Sequence, residues 1–378
     1  MRIAIITKGF AHGNNDWCLP PLIDFVRSIS DQVEVDIYAM FYPLAQRDYH
    51  LFGARVFAFD LARRNRLMRR LSWRKVGARV AREHSSKPYD LVHAIWADTP
   101  ATLGARIAAN INVPLITTLY AGEAVWRPDI KYGSLGSARN RAALCRVLDR
   151  SHTVTCGSQF LADIVQTNLS RSAQVIPFGL CPDRFLPIGP QAVLQGETRI
   201  VTSASFSPVK GLDLVLKAVQ KLARDHPRLM TGLHWHCIGP DPANRALRGA
   251  LLQQIGALPV TLHDAKPHWE MAQYYRAADL AVQGSWFESQ CFAALEPAAC
   301  ATPVAGTAVG VLPDMASPDW TCAPGSADAL AQLLSHVLSH RAGWAAETVR
   351  QQDWVLENAT LDVAAPQFLA LYNQVAGQ

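Results

Sequence analysis

The stretch Phe287-Glu288-Ser289-Gln290-Cys291-Phe292-Ala293-Ala294-Leu295-Glu296-Pro297-Ala298-Ala299-Cys300-Ala301-Thr302-Pro303-Val304 decides the reading of this chain. Two carboxylates stand eight positions apart, separated by a short polar turn, and an apolar, alanine-rich run encloses the second. A run this apolar predicts a helix packed against a sheet, stopped by Thr302-Pro303. Glu288 then falls in the turn before the helix. Glu296 falls about one turn inside, where a charge is costly unless something polar is bound to it. The backbone N–H groups from Ser289 to Phe292 are the donors at the helix N-terminus, a ready anion site. One segment thus offers an anion cradle flanked by two acceptors suited to sugar hydroxyls.

These residues resemble the E-x7-E motif of retaining, nucleotide-sugar-dependent glycosyltransferases of the GT-B fold, specifically glycosyltransferase family 4 (group 1). Both glutamates, Leu295 and Pro303-Val304 match the motif, while Ser289, Cys291, Pro297 and Ala301 depart from it. The plainer alternative is a surface glutamate followed by a core helix, with Glu296 paired to an arginine. The resemblance implies α/β architecture, with two Rossmann-like doubly wound domains facing across a cleft.

Size and composition agree with two such domains. A chain of 378 residues suits two α/β domains of roughly 150 to 200 residues. Hydrophobic content of 49% with 18% charged residues describes a globular chain, neither disordered nor membrane-spanning. The start, Met1-Arg2-Ile3-Ala4-Ile5-Ile6-Thr7-Lys8-Gly9, reads as a buried strand too short for a signal peptide, which predicts a protein that is not exported. The eight cysteines form no C-x-x-C pair and lie mostly in apolar stretches, so reduced, buried thiols in a cytoplasmic protein are expected. His234 and His236 alternate on one strand face, but no carboxylate or cysteine at ligand spacing accompanies them, and no metal site is expected.

Charge is uneven along the chain. From Arg63 to Arg82 nine basic residues occur with no acidic one, and Leu67, Leu71, Val76 and Val80 recur at near-helical spacing beside Trp73. Two readings stand: a basic amphipathic helix on an anionic membrane surface, or a helix covering the first domain with its apolar stripe inward. Nothing base-reading accompanies the arginines, so nucleic acid is not an expected partner.

Apolar, β-rich runs at Ile3 to Ile6, Val33 to Tyr38, Val56 to Phe59, Leu91 to Ala94, Leu115 to Thr118 and Thr153 to Thr155 alternate with helix-compatible sequence. That is the pattern of a parallel, doubly wound sheet. A second series begins at Ile200 to Ala204 and continues through Leu233 to Ile238, Val260 to Leu262, Leu280 to Gln283 and Pro303 to Ala305. The expected domains are 1–185, binding the acceptor, and 195–355, binding the nucleotide sugar. A C-terminal helix at 360–378 is expected to return to the first domain.

The resemblance also assigns roles. Ser207-Pro208-Val209-Lys210-Gly211 is similar to the family's G-R-x-x-x-x-K-G loop, with Lys210 at the diphosphate-contacting lysine and Ser205 where the arginine would be. Glu296 corresponds to the glutamate that accepts from ribose hydroxyls, and Glu288 to the one near the donor sugar. Gln290, Cys291 and Phe292 would offer backbone N–H groups to sugar and phosphate. Gly239, Asp241 and Lys266 would border the base. In the first half, Gly9, His12, Gly13 and Asn14 follow the first strand in the acceptor and phosphate loop. His93 matches a family histidine, with a satisfied core histidine as the other reading. Tyr120 stands where relatives carry a catalytic histidine, and Glu123 keeps the acidic position. The catalytic set implied is Lys210, Glu288, His93, Tyr120 and Glu123.

The expected function is transfer of a sugar from a UDP- or GDP-linked donor to a saccharide or lipid-linked hydroxyl acceptor, with retention and without cofactor or metal. Bacterial polysaccharide or glycolipid synthesis at the inner face of the cell membrane would suit it. Two alternatives are a catalytically weak GT-B binding partner, motivated by Ser205 and Tyr120, and another GT-B enzyme such as an epimerase.

Overall fold

A computed structural model describes residues 1–16, 18–62, 66–239 and 245–377, without the side chains of 66–71 and 245–247. The chain divides into two compact units, Met1–Gly179 with Leu361–Gln378, and Leu180–Thr360.

The first unit is built on an eight-stranded sheet. Its strands are β1 (Arg2–Gly9), β2 (Glu34–Tyr42), β3 (Arg47–Leu51), β4 (Ala54–Ala58), β5 (Leu91–Ile95), β6 (Leu115–Leu119), β7 (Thr153–Cys156) and β8 (Gln174–Val175). The spatial order is β3-β4-β2-β1-β5-β6-β7-β8, parallel throughout except for the antiparallel edge pair β3–β4. Winding starts at β1, runs outward through β2 and β4, then restarts at β5, so the switch point lies between β1 and β5. Ile3 to Ile6 are fully buried, as a central strand covered on both faces requires.

In the helix Arg66–Ser86, Val76 and Val80 are fully buried among Phe57, Leu103 and Ile107, so this part of the apolar stripe faces the core. The side chains of Leu67 and Leu71 lie outside the described residues. Arg63, Arg64 and the side chains of Arg66, Arg69 and Arg70 lie outside the described residues. On the opposite side of the sheet, the helix Leu361–Ala376 packs Phe368 against Phe25 at 4.7 Å and Phe178 at 5.5 Å between ring centres.

The second unit carries β9 (Thr198–Ser203), β10 (Leu233–Ile238), β11 (Val260–His263), β12 (Leu280–Gln283), β13 (Val304–Thr307) and β14 (Thr321–Cys322), all parallel, in the order β11-β10-β9-β12-β13-β14. Its switch point lies between β9 and β12. The core includes Trp235, Leu216, Leu280, Leu295 and Leu330. Leu180 and Phe185 also pack there, and so does Ala359. The first unit therefore ends at Gly179 rather than at 185, and the second extends over 180–360 rather than 195–355, because the connecting stretch buries its apolar side chains in the second core.

Candidate functional site

Open parallel sheets bind ligands beyond the carboxyl ends of their strands at the switch point. In the second unit that place is the loop after β9 and the loop after β12. Gly211, at φ 60°, closes the first loop, and a Cβ on it would lie 1.9 Å from the Gly284 carbonyl oxygen. Only glycine allows the two loops to meet here. The Trp286 N–H donates to the Val209 carbonyl at 2.8 Å. This docking brings the Lys210 ammonium to Glu288, 2.7 and 3.0 Å from its two oxygens. The Ser285 hydroxyl donates to Glu288 at 2.7 Å. Behind it, the buried Gln283 carboxamide accepts from the Ser285 N–H at 2.9 Å and donates to the Thr307 carbonyl at 2.6 Å. Gln283, Ser285 and Thr307 were not expected from the sequence; a glutamine ending an apolar strand was the signal available.

Beyond Glu288 the chain enters the helix Phe292–Ala299 through Cys291, which sits at φ 81°. The Gln290 carbonyl accepts from the Val311 N–H at 2.9 Å, and Gly310 leaves no room for a side chain beside it. Burial, followed by the neighbouring Glu288 carboxylate, holds the Cys291 thiol well above the ordinary thiol range. The first N–H groups of the helix face the same turn, while Pro297 costs the short helix an internal bond.

Glu296 is 6% exposed and is held by two donors from its own unit. The Tyr275 hydroxyl donates to Oε2 at 2.9 Å, and His268 Nε2 contacts Oε1 at 2.8 Å. The Arg184 guanidinium lies 3.1 Å from His268 Nδ1. A guanidinium can only donate, so Nδ1 accepts and Nε2 carries the proton toward Glu296. The carboxylate therefore reaches an arginine at one remove, through an imidazole. Arg184, His268 and Tyr275 were missed in the sequence, since the residues they contact lie 21 to 84 positions away.

The other residues expected on the donor side are more scattered. Ser205 is exposed, so no cation replaces the family's arginine at that position. Gly239 follows β10 at φ 109°, and Asp241 lies outside the described residues. The Lys266 ammonium lies 5.8 Å from the centre of the Tyr274 ring. His234 and His236 share one face with rings 4.8 Å apart, and His236 Nδ1 contacts His263 Nε2 at 3.0 Å. Among the described residues no group of three or more His, Cys, Asp or Glu side chains is placed to hold a metal ion.

In the first unit the strand-end groups are tied to the protein itself. After Gly9, whose Cβ position abuts Tyr42, the loop carries His12, Gly13 and Asn14. The Asp16 carboxylate accepts from the His12 N–H at 2.9 Å and the Tyr42 hydroxyl at 2.8 Å, and also contacts the His12 ring. Burial raises the Asp16 pKa, but these bonds outweigh it and hold the carboxyl below its ordinary value. Asp16 and Tyr42 were not anticipated.

His93 is a core residue, contrary to its expected catalytic role. It is fully buried, with Nδ1 2.8 Å from the Tyr372 hydroxyl and Nε2 2.7 Å from Thr118 Oγ1. Burial lowers its pKa to about 3, so the ring is neutral. With both nitrogens engaged, it has no group to present to a substrate. Tyr120 packs its ring against Trp96 at 4.5 Å and Phe178 at 5.2 Å. Glu123, 2% exposed, accepts backbone N–H bonds from Ala97 at 3.1 Å, Tyr120 at 3.2 Å and Ala121 at 2.7 Å. It fastens the ends of β5 and β6 together. Burial, then the Asp98 charge, still raises its pKa despite those bonds.

Two doubly wound parallel-sheet units, the second with a lysine, two glutamates and a helix N-terminus gathered at its switch point, define a two-unit α/β protein of the GT-B class. The chain belongs to glycosyltransferase family 4, group 1. A family profile described as Glycosyltransferase Family 4 matches residues 22–184, and one described as Glycosyl transferases group 1 matches residues 197–340. A D-inositol 3-phosphate glycosyltransferase of Geodermatophilus obscurus is 28% identical over 251 residues, 61% of this chain and 54% of that one. A protein of the same name from Thermobispora bispora is 38% identical over 112 residues, 28% of this chain and 26% of that one. The chain spans about half or less of the length of these curated relatives. Among solved structures, sucrose-phosphate synthase from Thermosynechococcus elongatus superposes with a TM-score of 0.79 at 19% identity, covering 100% of this chain and 99% of that one. Anabaena HepE in complex with UDP-glucose gives 0.73 at 17% identity, with 99% of each covered. At these identities the structural likeness establishes the fold.

Proposed function

We propose that this chain transfers a sugar from a nucleoside diphosphate donor to a hydroxyl acceptor, with retention at the anomeric carbon and without a bound metal. The observation that carries this reading is the Lys210–Glu288 pair beside the N-terminus of the helix Phe292–Ala299, with Glu296 buried on the next turn. Lys210 is the cation available to the diphosphate, and the N–H groups from Gln290 to Phe292 add fixed dipoles. Charge developing on a leaving phosphate is best stabilised by such pre-aimed groups. The glycosidic C–O bond to phosphate breaks, the acceptor oxygen bonds to the same carbon on the same face, and the acceptor proton passes to the leaving phosphate oxygen. No protein nucleophile is needed. Glu296, with its orientation set by His268 and Tyr275, accepts from the ribose hydroxyls. Curated relatives named as inositol phosphate glycosyltransferases and a structural neighbour holding UDP-glucose support a nucleotide-sugar donor. The acceptor is a saccharide or lipid-linked hydroxyl in polysaccharide or glycolipid synthesis, at the inner face of the membrane.

The test is thermal stability with UDP, GDP, ADP and TDP, followed by transfer assays with the cognate sugar nucleotide. A ligand at 100 times its dissociation constant stabilises the fold by about 2.7 kcal/mol. One nucleotide is expected to give such a shift, and Glu296→Ala to abolish it. Turnover should persist in EDTA, with the donor's anomeric configuration kept in the product by NMR. Nucleotide binding without transfer to any sugar hydroxyl would favour a binding partner over an enzyme, the reading that Ser205 and Tyr120 motivate.

A further inference from the structure

Three helices of the first unit, Arg66–Ser86, Thr99–Ile111 and Ala138–Leu148, enclose a groove of about 780 Å³. Four arginines line it: Arg74, Arg106, Arg139 and Arg146. They arise from helical spacing. Thr102, Arg106 and Asn110 recur every four residues on one helix, and Arg139, Ala143 and Arg146 form a stripe on the next. All four arginines are exposed, and among the described residues none of them makes an ion pair or hydrogen bond. No acidic side chain lines the groove.

Two other arginines of the same unit are ion-paired. Arg79, on the helix that carries Arg74, contacts Asp48 at 2.7 Å and Glu83 at 2.8 Å, while Arg55 pairs with Asp36 at 2.7 Å. The four guanidinium groups therefore leave the groove lined by positive charge with no acidic side chain among its lining residues. Trp73 also lines the groove. A guanidinium can only donate, so the four planar forks offer donors to one space.

We propose that this groove binds clustered phosphate groups, held by the four guanidinium groups. Guanidinium forks match phosphate oxygens bidentately, and Leu103 and Ile107 supply an apolar floor for whatever carries the phosphates. The groove shares no residue with the Lys210–Glu296 cluster, so the inference is independent of the donor-site reading. The phosphates belong either to anionic lipid headgroups or to a soluble phosphorylated compound.

The experiment uses the full chain and two probes at 0.1 M salt: inorganic pyrophosphate by calorimetry, and vesicles of phosphatidylglycerol in phosphatidylcholine by sedimentation. Phosphatidylcholine vesicles are the blank. One variant replaces Arg74, Arg106, Arg139 and Arg146 by Gln. Its control replaces Arg224, Arg228, Arg341 and Arg350, four exposed arginines of the second unit, and so carries the same charge change. Binding of at least one probe is expected, weakened roughly a hundredfold or more in the groove variant at about fivefold per arginine, and unchanged in the control. Vesicle binding identifies a lipid headgroup, and pyrophosphate binding without vesicle binding identifies a soluble ligand. Binding of neither probe, or equal loss in groove variant and control, would overturn the proposal. A nucleotide-induced thermal shift retained by the groove variant shows that it is folded and separates this result from any failure of the donor-site reading.

Discussion

Glu123 and Glu288 are both buried carboxylates at the carboxyl end of a parallel sheet, one in each unit, and they are used in opposite ways. Glu123 faces backbone: three N–H groups from two strand ends close on it, and it behaves as a rivet. Glu288 faces side chains: an ammonium on a flexible stem and a hydroxyl, both able to exchange partners. Both are buried, so burial alone does not mark a reactive group. What separates scaffold from site is whether the partner can move away when a ligand arrives.

That contrast can be broken by substitution. Glu123→Ala leaves three N–H groups without this acceptor, one buried and two partly buried, at about 1 kcal/mol each. A loss of roughly 3 kcal/mol is expected in denaturant unfolding of the first unit, with the nucleotide-induced thermal shift intact. An unchanged stability would remove Glu123 from the scaffold. Lys210→Ala should behave in reverse. Turnover is expected to fall about a hundredfold, near 2.7 kcal/mol of barrier, while stability changes by less than about 1 kcal/mol because the ion pair is partly exposed. Wild-type turnover in that variant would show Lys210 to be as structural as Glu123.

A smaller effect sharpens the comparison through pH. His93 is held neutral when folded, its pKa lowered by burial from 6.5 to about 3. The unfolded chain takes up a proton below 6.5 that the folded chain refuses, so this stabilisation is complete above 6.5 and is lost as pH falls toward 3. The expected slope is about 1.4 kcal/mol per pH unit across that window. Hydrogen exchange of β5 and β6 amides should show it, and His93→Gln should flatten it. An identical slope in that variant would assign the acid sensitivity elsewhere, with His236, lowered to about 4 by burial, the next group to test.

Much of this fold was legible because parallel strands covered on both faces read as short apolar runs. The strands from Arg2–Gly9 to Val304–Thr307 fall where Ile3 to Ile6, Leu233 to Ile238 and Leu280 to Gln283 place them. The antiparallel edge strand Arg47–Leu51 was not legible, since Arg-Asp-Tyr-His-Leu is mostly polar and pairs only because Ala54–Ala58 lies beside it. The glutamate segment identified its own helix and turn. His93 was left with two readings, catalytic or core, because Tyr372, which favours the core one, is 279 positions away and leaves no trace in local sequence. The arginine groove was hidden for the same reason: its charge is distributed over three helices, and only one of them looks basic by itself.

The placement of the helix Leu361–Ala376 in the first unit has a consequence for synthesis. The residues that wrap His93 and pack on Phe25 and Phe178 are made after the whole of Leu180–Thr360. At roughly 5 to 20 residues per second, that interval is on the order of 10 to 40 s. During this time the nascent first unit exposes an aromatic face with nothing of its own to cover it. The second unit, being continuous in the chain, can finish folding first. The vulnerable interval in the life of this protein therefore lies between synthesis of the first unit and arrival of this helix, and it is the earlier-made half that needs shielding.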